Sequence, residues 1–126
     1  MVLEGDSEQR LPRGSGELFF AKLLPHPVTR GVLHDDDKLS SRVLVAQARS
    51  LTVTETSNDV RLLLQSSDQA LSLRDLSSLN DPSRLRELEA RGPRKVLNLA
   101  AARQLEKPAG HDSGGNARLF VSGASN

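Results

Sequence analysis

The apolar residues of this chain are almost all leucine and valine, and that limits the cores it can build. Its 126 residues include 22 Leu and 9 Val but only 3 Phe, and Ile, Tyr, Trp and Cys are absent. Aromatic rings bury about 150–250 Å² each and commonly anchor cores and interfaces. Only Phe19, Phe20 and Phe120 can do so here, from opposite ends of the chain. A Leu-dominated core packs less specifically than a mixed one. Leu, Val and Phe make up 34 of the 126 residues, above the roughly one-fifth level that marks outright disorder. The chain therefore reads as a folder near that limit, to which a partner would add order.

Charge and missing residue types exclude several functions. With 17 basic and 16 acidic residues the net charge is +1. Nucleic-acid binders carry a basic stripe that neutralises phosphates, so no nucleic-acid partner is indicated. Without cysteine there is no disulfide framework, thiolate metal site or thiol nucleophile. No apolar run approaches the roughly 18 residues of a spanning helix. The segment MVLEGDSEQRLPRGSG lacks the basic start and apolar stretch of a signal peptide. These features predict no membrane span and a cytoplasmic or otherwise intracellular protein.

Leu, Ser and Arg, each with six codons, total 50 residues, and Arg outnumbers Lys 13 to 4. That bias is what a viral or newly arisen accessory protein from an overlapping reading frame would show. A GC-rich genome would give it too.

Local patterns place the elements. Residues 1–16, rich in Gly, Ser and charge, read as a flexible tail, followed by a single small domain over 17–122. In ELFFAKLL (17–24) the spacing of Phe20, Leu23 and Leu24 suits a short helical docking motif, ended by Pro25 and Pro27. Residues 42–65 alternate in the manner of strands, with Thr52 and Thr54 suited to a half-solvated face, and predict a short β-hairpin or sheet. Residues 60–65 read either as a returning strand or as a short capped helix.

Helices are expected over 67–79, 82–91 and 94–106. The first rests on Leu73, Leu76 and Leu79 at spacing three. The second has Asp81 as cap, Pro82 at the first position and Gly92 beyond the end. The third rests on Val96, Leu97 and Ala100. Residues 108–116 read as an internal Gly-rich linker, and 118–122 as a final strand. The expected class is α+β, with a mostly helical or largely disordered chain as the alternative.

No motif carries chemistry. Asp112-Ser113-Gly114-Gly115 resembles the segment around the nucleophile of chymotrypsin-like serine proteases over four residues. That resemblance implies a His and an Asp from distant parts of a two-barrel domain, for which this chain is too short. A Gly-rich linker is the simpler reading. His34 beside Asp35, Asp36 and Asp37 does not fit the calcium-loop spacing, and a solvated charge run explains it. Arg91, Arg94 and Lys95 form a basic cluster too short to be specific.

The expectation is thus a non-enzymatic protein, with no catalytic, cofactor-binding or metal-binding residue and no cofactor. It would act as a protein–protein interaction or accessory protein, self-associating as a homodimer through Leu-rich faces. The candidate interaction residues are Phe19, Phe20, Leu23, Leu24, Leu73, Leu76, Leu79, Leu85 and Leu88. A lipid- or small-ligand-binding fold with a Leu- and Val-lined cavity is a further reading.

Overall fold

A computed structural model describes residues 1–12, 16–30, 42–54, 59–104 and 118–123, with Ser78 described by its backbone alone. The elements run β1 (Val2–Leu3), β2 (Leu18–Leu23), β3 (Arg42–Ala46), β4 (Val60–Gln65), β5 (Leu71–Ser72), a 3₁₀ helix (Leu76–Asn80), α1 (Pro82–Arg91), β6 (Asn98–Gln104) and β7 (Arg118–Ser122). Five strands form one antiparallel sheet in the order β3-β2-β4-β6-β7, and β1 pairs with β5 in a separate two-stranded ladder. The described chain is mostly β-sheet with one α-helix, which overturns the α+β expectation with two or three helices and the mostly helical alternative.

Two expected helices are strand-based instead. In 67–79 the chain forms β5 and then the 3₁₀ helix. Residues read as part of a flexible tail supply the partner: Leu3 registers with Leu71, and Leu73 N–H donates to the Met1 carbonyl at 2.7 Å. The leucine spacing of three matches the three residues per turn of a 3₁₀ helix. In 94–106 the described part forms β6, paired with β4 on one side and β7 on the other. Ala100, Ala101 and Ala102 favour a helix intrinsically. Flanking strands override that preference, since β structure depends chiefly on its neighbours.

The candidate docking helix is also a strand. In β2, Phe19, Ala21 and Leu23 alternate inward while Lys22 is exposed, the period-two pattern of a half-buried strand. β2 lies between β3 and β4, so the 42–65 segment is not a single hairpin. Residues 60–65 are strand, whereas Leu51 makes only an isolated bridge to Asn98.

The helix α1 forms where cap chemistry is local and complete. The Asp81 carboxylate accepts from Ser83 N–H at 3.0 Å and Arg84 N–H at 3.3 Å. Pro82 fills the first turn, where its missing N–H is not needed. Gly92 ends the helix in an extended conformation, not a left-handed one (φ −65°). A side chain there would meet the Leu88 carbonyl at 2.5 Å and Leu71 at 2.8 Å.

The core has two parts. Phe19, Val2, Val45, Leu97 and Leu99 pack on the sheet with Ala21, Ala48 and Ala70. Leu3, Leu71 and Leu73 form the other part, under Leu79, Leu85 and Leu88. The sheet is curled, and residues 47–51 lace across its open side. Gln47, at φ 47°, turns the chain out of β3. The Ala48 carbonyl accepts from Val2 N–H at 2.7 Å, Arg49 N–H donates to the Gly123 carbonyl at 2.7 Å, and Leu51 N–H donates to the Asn98 carbonyl at 2.7 Å.

Candidate functional site

Most candidate interaction residues are occupied by the chain's own core. Phe19 is fully buried and Leu23 nearly so; Phe20 and Leu24 are half-buried on and just beyond β2. Leu73 is buried, and Leu79, Leu85 and Leu88 pack against it, Leu3 and Leu71. Leu76 alone of the nine is exposed, at 51%.

Among the described residues no group of three or more His, Cys, Asp or Glu side chains is placed to hold a metal ion. His26 serves its own turn: its Nδ1 accepts from Val28 N–H at 3.2 Å, and its backbone N–H donates to Thr29 Oγ1 at 2.9 Å. The His34–Asp37 run, His111 and the Asp112–Gly115 string lie outside the described residues. No described helix is long and apolar enough to cross a membrane.

Two surface features remain. One is β7, the last strand of the sheet, with no described strand on its outer side. Leu119, Phe120 and Val121 are 49%, 57% and 42% exposed. Leu119 and Val121 point to one face of the sheet and Phe120 to the other, because strand side chains alternate. Each face borders a shallow hollow. One is about 390 Å³, with Val53, Val60 and Ala101 beside Leu119 and Val121. The other is about 210 Å³, with Val28 and Ala102 beside Phe120.

The other feature is a cleft of about 860 Å³ beside the lacing segment. Its walls come from three stretches, 49–53, 72–76 and 93–98. Backbone bonds fix them: Leu51 to Asn98, Leu73 to Met1, and Lys95 N–H to the Ala70 carbonyl at 3.1 Å. Arg49, Arg74 and Lys95 line the cleft, and among the described residues no Asp or Glu does. None of the three is ion-paired with a described residue; the two ion pairs there join Arg10 to Glu89 and Arg84 to Asp75. Partial burial, and then the nearby Arg49 charge, hold the Met1 amine below its ordinary pKa.

The basic cluster read from the sequence divides here. The Arg94 guanidinium donates back to the Glu89 carbonyl at 2.5 Å near the end of α1, while Lys95 faces the cleft. Sequence reading did not group Arg49, Arg74 and Lys95. They sit on three separate segments, and no local spacing joins them.

Comparison of this chain with protein-family models, with characterised proteins and with solved structures finds no match.

Proposed function

We propose that the chain is a non-enzymatic interaction protein that self-associates by pairing β7 with β7 of a second copy. The observation that carries this reading is the run Leu119-Phe120-Val121, exposed on both faces of a sheet-edge strand. An edge strand is a template for a further strand, and long apolar edges are ordinarily blunted by charge, proline or a covering element. Within β7 only Arg118 is charged, at one end, and proline is absent.

Self-pairing suits the sequence RLFVS. In an antiparallel arrangement centred on Phe120, the two Phe120 rings face each other, Leu119 faces Val121 of the second copy, and Arg118 faces Ser122. No like charges oppose, and apolar or aromatic cross-strand pairs each contribute about 0.2–1 kcal/mol. Such a contact is isologous, as in the two-fold dimers that dominate oligomers. The hollows flanking β7 leave room for the second strand's side chains on both faces.

Size-exclusion chromatography with light scattering tests this. A dimer is expected for the native chain, and a monomer for Phe120→Lys with an unchanged circular dichroism spectrum. A native chain that stays monomeric up to millimolar concentration overturns the reading, and so does a folded Phe120→Lys variant that still dimerises.

A further inference from the structure

The cleft beside the lacing segment combines cationic side chains with exposed apolar ones. Its cations, Arg49, Arg74 and Lys95, have no carboxylate among the described lining residues. Charges of one sign along a low-dielectric wall focus the field and concentrate the opposite ion. Three of the chain's exposed large apolar residues also border it: Val53 at 41%, Leu76 at 51% and Val96 at 46%. They lie over the more deeply set Leu51, Leu73 and Leu97. Cationic and apolar side chains thus share one cleft, and about 860 Å³ falls within the range of small-molecule sites.

We propose that this cleft binds a single-chain amphiphile with an anionic head, the head held by Arg49, Arg74 and Lys95 and the aliphatic chain laid against Val53, Leu76 and Val96. The lining discriminates among anions. It contains no aromatic side chain on which a nucleobase could stack, and its apolar wall gives a bare inorganic anion nothing to cover. Arginine suits the head because its planar fork meets carboxylate or phosphate oxygens in pairs. Ser50, Thr52 and Ser72 add hydroxyl donors among the same walls. The site adjoins the β7 edge: Leu51, Thr52 and Val53 line both the cleft and the hollow beside Leu119 and Val121, whereas Phe120 lines neither of these two.

Decanoate, 1-decanol and inorganic phosphate, each titrated into the native chain and followed by amide chemical shifts, test the proposal. Decanoate saturates one site per chain and shifts the amides of residues 49–53, 72–76 and 95–98. Decanol and phosphate each bind at least about tenfold more weakly, since each lacks half of the interaction. The combined variant Arg49→Gln, Arg74→Gln, Lys95→Gln loses at least about tenfold in decanoate affinity at an unchanged unfolding midpoint. Decanol or phosphate binding as tightly as decanoate overturns the proposal. Shifts centred on other segments, or the absence of saturable decanoate binding, do so as well. The comparison of three ligands on the native chain decides the matter even where the combined variant does not fold, and Phe120→Lys leaves decanoate binding intact.

Discussion

Glu4 places a carboxylate at 1% exposure and surrounds it with donors. Its Oε1 accepts from Asp6 N–H at 3.0 Å and Ser67 Oγ at 2.5 Å, and its Oε2 from Ser67 N–H at 3.0 Å. A buried charge persists only when it is answered in this way. The two bonds from Ser67 tie the residues after β1 to the turn before β5, which keeps Leu3 against Leu71. Removing the carboxylate strands two backbone N–H groups, and hydrogen bonds to charged groups contribute about 1.5–3 kcal/mol. Glu4→Ala is therefore expected to destabilise the fold by about 2–3 kcal/mol in urea unfolding, with Glu4→Gln recovering part of that. A loss below about 0.5 kcal/mol, the usual range of an inert surface site, would count against the role. Nothing in VLEGDS around this residue marks it as buried; Ser67, its long-range partner, lies 63 positions away.

Among the elements, α1 was legible from local chemistry and β3 and β7 from their apolar alternation, whereas β1, β2, β5 and β6 were not. Asp81, Pro82 and the Leu85–Leu88 face specify α1 within ten residues. β6 carries an alanine run and becomes a strand only because β4 and β7 flank it. β5 requires β1, which composition assigns to a tail. The short 3₁₀ helix has its own local cap. Asp75 accepts from Ser77 N–H at 2.9 Å and Ser77 Oγ at 2.7 Å. The Ser77 hydroxyl, then its N–H, with the Arg84 charge adding, hold the Asp75 carboxyl below its ordinary pKa of 3.8. A carboxyl with a depressed native pKa contributes stability that is present above the unfolded value and fades as pH falls through the native one. The Asp75→Asn variant is accordingly expected to lose stability less steeply below pH 3.8 than the native chain, measured by urea unfolding across the acid range. Parallel acid limbs would refute that link.

At the scale of the molecule, the curled sheet depends on contacts that no pattern along the chain announces. The expected hairpin or sheet over 42–65 left the strand order open, and β2 lies between β3 and β4. Period-two alternation finds strands and leaves their order open. Of the candidate site, Leu73, Leu76, Val96, Leu97 and Lys95 were singled out by spacing or charge; Arg49 and Arg74 reach the cleft through the lacing and after β5. Gly123 is the tightest point of that lacing. Its N–H donates to the Leu99 carbonyl at 2.8 Å, and a side chain there would lie 1.9 Å from the Arg49 carbonyl. Gly123→Ala must therefore part β7 from the lacing segment, at a cost of about 1–3 kcal/mol by analogy with overpacked interiors. Thermal unfolding checks it, and an unchanged midpoint would contradict the close approach.

The same lacing bears on time as well as on stability. Val2 with Ala48, Arg49 with Gly123 and Glu4 with Ser67 each join segments tens of residues apart. Each such loop must close before its contact offers any reward, and that entropy falls on the folding barrier. Refolding of this small chain accordingly belongs to the millisecond-to-second regime of β-rich domains, not to the microseconds of helical bundles.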